Sequence, residues 1–333
     1  MKRTALLLLT TCLLLASCAP SAAATPTPEP TATFARQIPT PRYDVPPTTS
    51  PTVTLEASST PRLTSTPRTT PTADPASTSL PPATASAAAR ITATPDNSWM
   101  RLPVLPSPSE NLRDIYQRGL ALGNNPNAFS LFGDCQARPE EFFGIYETDP
   151  LALSDLPPEL RELVDNFTGS FNRESPTAQD GTTPGALLWT QWHRGRFGCT
   201  FAETPVQCEL RLHNPSFVII QIGSHYESRN TEYLRRVIGQ LIEKGVVPLL
   251  ATKADNRELD HRVNRDVALL AAEFNLPLWN FYAALNDLPD RGLYVMRNRE
   301  YQGPIYLNEQ AQEIHRRTGL EALNLVWRMA TGE

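Results

Sequence analysis

The sequence predicts an α/β protein: a three-layer α/β/α sandwich built on a mostly parallel sheet. Three observations carry that expectation. Residues 216–222 (Ser-Phe-Val-Ile-Ile-Gln-Ile) are a continuous apolar run rather than an alternating one, the pattern of a central strand covered on both faces. From there to the C-terminus such runs alternate with amphipathic stretches of helical period, which is the signature of βαβ units. The chain is also compositionally split. Of the 77 residues from 19 to 95, 58 are Pro, Thr, Ser or Ala, and half of the 32 prolines of the 333-residue chain fall there. That segment cannot bury enough surface to offset its ordering entropy. The remainder is large enough for one sizeable core.

The elements follow in order. Lys2 and Arg3 precede an apolar run from Ala5 to Ala16, which describes an export signal too short to span a bilayer permanently. It ends Leu15-Ala16-Ser17-Cys18, which resembles the site where a lipoprotein cysteine is acylated and the chain is cut ahead of it. The expected organisation is therefore a signal at 1–17, a linker at 18–97 and a folded domain at 98–333. The mature chain is expected outside the cytoplasm, anchored to a bacterial membrane or envelope through lipid on Cys18. The linker is expected to be an extended, water-soluble spacer, with O-glycosylation open.

Within the domain, residues 111–122 read as a helix stopped by Gly123. Residues 128–132 form a short apolar strand running into the tight turn Gly133-Asp134-Cys135. A second helix is expected over 156–167, whereas 168–200 carries no clear period. After the 216–222 strand come a helix over 231–244, a strand over 246–252, a helix over 260–274, a short strand at 278–281 and a last helix over 319–329. In parallel sheets, ligands sit at the carboxyl ends of the strands. Those ends are Gly133-Asp134-Cys135, Gly223-Ser224-His225 and Lys253-Ala254-Asp255-Asn256.

Three cysteines remain after the signal and the lipid site. Cys199 and Cys208 are nine apart and can close a loop, leaving Cys135 alone. No CxxC or Cys/His ligand spacing appears, so neither metal nor cofactor is expected. Net charge is −5 with no basic block, which argues against nucleic acid as a partner.

The strand ends resemble the SGNH/GDSL hydrolase superfamily, over residues 125–330. The resemblance implies a flavodoxin-like sandwich and an extracytoplasmic esterase or acyl hydrolase of carbohydrate or lipid. In that family the first strand ends Gly-Asp-Ser with Ser as nucleophile; here Phe132-Gly133-Asp134-Cys135 stands there. Gly181 matches the second-block oxyanion glycine. Gly223-Ser224-His225-Tyr226 matches the Gly-x-Asn-Asp block, and Gly303-Pro304-Ile305-Tyr306-Leu307 matches Asp-x-x-His-Leu. Cys thus replaces Ser, His225 replaces Asn, Tyr306 replaces His, and the Asp is missing. Tyr titrates near 10 and is a poor base at neutral pH, so the family's hydrolysis should be crippled.

Two readings follow from the resemblance. One is a degenerate, non-hydrolytic domain that binds a carbohydrate or acyl ligand. The other is an acyl hydrolase using Cys135 as nucleophile and His225 as base, since a thiol needs less activation than a hydroxyl. A small cysteine in a tight turn is an equally open account of Cys135. Lys253, Asp255 and Asn256 line a cleft or form a structural ion pair and cap. Among the other histidines, His193 beside Trp189 and Trp192 belongs to a sugar-stacking surface or to core packing, His261 follows a capping Asp260, and His315 is expected on a solvated helix face.

Overall fold

The computed structural model describes residues 96–222, 231–294 and 305–332. The expected signal, Cys18 and the linker through residue 95 lie outside the described residues, as do Gly223 and His225. Among the described residues, four strands form one all-parallel sheet in the order β1 (Asn125–Gly133), β2 (Pro215–Gln221), β3 (Val247–Ala251), β4 (Leu278–Trp279). The helices are α1 (Leu112–Leu122), α2 (Ile145–Thr148), α3 (Pro150–Ser154), α4 (Pro158–Asn166), α5 (Pro205–Leu212), α6 (Thr231–Glu243), α7 (Arg262–Glu273), α8 (Phe281–Ala284) and α9 (Glu309–Thr331). Among the described residues no helix is long and apolar enough to cross a membrane.

Side-chain parity along β2 shows why the architecture has three layers. Successive strand residues point to opposite faces. Phe217 stacks on Tyr116 of α1 and meets Phe167 at the end of α4, while α9 packs against α1 and α4 on that side. Ile220 and Ile222 instead face Leu234 of α6 with Val263 and Val267 of α7. Every residue of β2 is buried, which is the physical content of its unbroken apolar run. Ile219 and Ile220, each about 1–2% exposed, contribute roughly 1.5–3 kcal/mol apiece through burial alone.

Three elements differ from the sequence expectation. The last helix begins at Glu309, ten residues early, because the Asn308 side chain accepts from the Ala311 N–H and caps it. Gly319, expected to open that helix, lies inside it. A Cβ there would stand 2.7 Å from the Phe142 ring and 2.8 Å from the Trp279 ring, so the glycine admits aromatic packing against α9. The strand at 278–281 stops at Trp279, since Asn280 caps α8 and binds the Trp99 and Leu102 carbonyls. Residues 168–200 are turns and one short 3-10 turn at Ala186–Leu188. The region is tied down by a Cys199–Cys208 disulfide with Cα atoms 5.4 Å apart. Closing such a loop constrains the unfolded chain by about 2–3 kcal/mol. Helix α5, which the sequence reading passed over, starts with a reciprocal capping box between Thr204 and Gln207 and Pro205 in its first turn.

Candidate functional site

β1 positions the site. The Gly133 N–H donates to the Thr177 carbonyl at 2.9 Å, and its own carbonyl accepts from Gln179 N–H at 3.3 Å. One residue's N–H and C=O point to the same side of a strand, so residues 177–179 run along one edge of β1 while β2 occupies the other. The chain therefore leaves β1 toward one side and returns for β2 on the opposite side. A crevice opens at the carboxyl end of a strand where connections diverge in this way. Gly133 is needed for the close approach: an added Cβ would lie 2.3 Å from Ala137 Cβ and 2.6 Å from the Gln221 carbonyl oxygen.

At this point a cleft of about 120 Å³ opens, lined among others by Cys135, Gln136, Arg138, Asp180, Tyr306 and His315. Of the residues singled out in the sequence, it brings together Cys135 and Tyr306 with His315, which was expected elsewhere. Gly133 and the buried Asp134 form the turn that leads into it, and Gly181, with φ +77°, turns the chain just after Asp180. The partner expected for Cys135, His225, lies outside the described residues.

Cys135 is 3% exposed and begins a 3-10 turn at Cys135–Ala137. Its sulfur accepts a hydrogen bond from the Ile305 N–H at 3.4 Å, and its S–H lies 3.8 Å from Asp134 Oδ1. Burial, then the adjacent Asp134 carboxylate, push the thiol far above the ordinary cysteine range. It therefore stays protonated at neutral pH. Tyr306 stands 37% exposed on the cleft wall.

His315 corrects the sequence reading. It is fully buried rather than solvated, because α9 starts early enough to turn residues 311, 315 and 319 inward together. Its ring packs against Phe142, Phe281 and Trp279, at centroid distances of 4.1, 4.5 and 5.4 Å. Burial, then Arg316, drive its pKa well below 6.5, so the ring is neutral. His315 Nε2 lies 2.8 Å from Gln221 Oε1. With the Gln221 amide oxygen turned to the ring, Nε2 is the donor and Nδ1 the acceptor. That Nδ1 has no partner among the described residues. Nor has the Oε1 of Gln136, another lining residue, whose Nε2 donates to the Ile305 carbonyl at 3.5 Å. Both acceptors are buried, and both residues belong to the cleft lining. The sequence reading set His315 on a solvated face and passed over Gln136; the signal for His315 was the four-residue spacing of Ala311, His315 and Gly319.

The other candidates are placed elsewhere. Lys253, 2% exposed, holds Asp255 Oδ2 at 2.7 Å and Glu258 Oε2 at 2.5 Å, while Asn264 bridges its backbone N–H and carbonyl. Asn256 accepts from the His261 N–H at 2.9 Å and its amide donates to His261 Nε2 at 2.9 Å. Asp260 accepts from the Arg262 N–H at the start of α7. None of Lys253, Asp255 and Asn256 lines the cleft. His193 is fully buried and binds the Glu203 carbonyl and the Gly195 N–H. His213 Nε2 meets the Phe129 carbonyl at 3.0 Å, and burial, then Arg173, lower its pKa to about 4.

Comparison of the chain with protein-family models, with curated proteins and with solved structures returned no match.

Proposed function

We propose that the protein is a lipid-anchored extracytoplasmic binding protein whose domain is a degenerate relative of the SGNH/GDSL hydrolases. In this reading the cleft at the end of β1 holds a hydroxyl-rich ligand, a saccharide, without hydrolysing it. The observation that carries the reading is the setting of Cys135. A nucleophile must be a thiolate. This sulfur is buried beside a carboxylate that repels the anion, and its partners among the described residues are an N–H and that same carboxylate. The wall position the resemblance assigns to a base is Tyr306, a weak base at neutral pH.

The ligand class follows from the bare acceptors His315 Nδ1 and Gln136 Oε1. A buried acceptor without a partner costs about 1–3 kcal/mol, which a ligand O–H recovers. The exposed ring of Tyr306 offers a face for a sugar ring, and Gln312 and Arg138 line the same cleft with further polar groups. A linker of Pro, Thr, Ser and Ala would hold this cleft clear of the membrane.

The test has two arms. Binding to a saccharide array should fall sharply for Tyr306→Ala, with thermal stability retained. Turnover of p-nitrophenyl acetate should not exceed that of Cys135→Ala. Turnover that Cys135→Ala abolishes would overturn the reading in favour of an acyl hydrolase.

A further inference from the structure

A second cleft of about 310 Å³ adjoins the first, and Arg138 and Asp180 line both. Its far wall is the arc 192–198. Trp192 is half-buried there, its Nε1–H donating to Thr182 Oγ1 at 3.3 Å. Arg194 and Arg196 are exposed, and neither engages a carboxylate among the described residues. The Arg196 guanidinium sits 4.7 Å from the centroid of the Phe197 ring, which restricts its orientation.

The arc is held in an unusual shape. Arg194 and Phe197 have φ of 52° and 60°, and Gly195 and Gly198 are left-handed as well. Left-handed non-glycine residues cost about 1 kcal/mol or more and persist where surroundings impose them. Here the surroundings are the buried His193, whose two ring nitrogens engage the Gly195 N–H and the Glu203 carbonyl, and the Cys199–Cys208 disulfide at the end of the arc. The acidic lining is mostly committed: Arg138 takes Asp180 and Glu140, both at 3.2 Å. Glu174 remains as an acceptor for hydroxyls, and its charge disfavours a closely spaced polyanion.

We infer that this second cleft is an anion subsite, in which Arg194 and Arg196 take a single carboxylate or phosphate on a saccharide whose neutral part lies toward Tyr306. The inference rests on the saccharide reading of the first cleft. Guanidinium forks match both anions bidentately, and stacking of Arg196 on Phe197 reduces the ordering cost of binding.

Calorimetry with three matched trisaccharides tests it: a neutral glucan, the same glucan ending in glucuronate, and the same ending in glucose 6-phosphate. The acidic forms should bind roughly tenfold or more tightly than the neutral one, and high salt should erode that preference. Whichever acidic form binds more tightly identifies the anion. Arg194→Ala with Arg196→Ala should abolish the preference and leave neutral binding intact; Tyr306→Ala should weaken all three. Equal affinity of the native chain for all three, or a preference that survives the double substitution, would overturn the subsite while leaving the first cleft standing. Acidic binding lost with the arginines yet unmoved by Tyr306→Ala would support the subsite and sink the first cleft's role. Failure of the native chain to bind any of the three would overturn both.

Discussion

The carboxyl ends of β1 and β3 solve the same problem in opposite ways. Each gathers buried polar side chains where a parallel sheet stops. At β3, Lys253 draws Asp255 and Glu258 onto one ammonium and Asn264 closes the backbone, so the cluster is largely satisfied within itself; Asp255 Oδ1 is its loose end. At β1, Gln136 and His315, both in the cleft lining, each keep a buried acceptor without a partner among the described residues, and the Cys135 thiol beside them is pushed up by burial. A satisfied cluster is architecture. An unsatisfied one lining a cleft is a place for something else to bind. The sequence flagged both strand ends, and only the partners distinguish them.

The largest effect that would sharpen this contrast is at β3. Lys253→Met should leave two carboxylates buried together and destabilise the domain by about 3–5 kcal/mol, read as a fall in urea midpoint. A loss below about 1 kcal/mol would mean that the cluster is not structural, and the contrast would fail.

Acid comes next. His213 titrates near 4 in the fold and near 6.5 unfolded, and His315 is also held well below 6.5 by burial. The unfolded chain therefore binds the extra protons, so stability is full above about pH 6.5 and declines as pH falls toward 4. Thermal unfolding across that window should show the decline, and His213→Gln should flatten part of it. A flat profile in the native chain would show that these rings are not held neutral.

The smallest effect is at the cleft. Gln136→Leu removes a bare acceptor along with its weak 3.5 Å donor bond, so folding stability should change by less than about 1 kcal/mol. Saccharide affinity should nevertheless drop roughly tenfold. A large stability loss with unaltered binding would make Gln136 part of the architecture, like Lys253.

The sheet was legible because β2 and β3 are covered on both faces, which leaves unbroken apolar runs such as 216–222. The turn at Cys135 was legible because a strand ends there on Gly-Asp. His315 was not, because Arg316 and Arg317 beside it suggested solvent and Gly319 suggested a helix start; the rings of Phe142 and Trp279 that require Gly319 come from distant positions in the chain. The 168–200 stretch was opaque for a related reason. It is held by His193, by a disulfide and by individual side-chain to backbone bonds, none of which imposes a period. Lys253 and Asp255 were correctly placed at a strand end, but charge alone does not reveal whether its partner is a neighbour or a ligand.

The ionisation of Cys135 tests the central claim most directly. The ultraviolet absorbance of thiolate, taken as the difference between the native chain and Cys135→Ala across a pH titration, isolates this one sulfur. No thiolate is expected from neutral pH through the ordinary cysteine range near 8.5. Thiolate already present at neutral pH would show a base or cation at the sulfur and restore the case for a nucleophile.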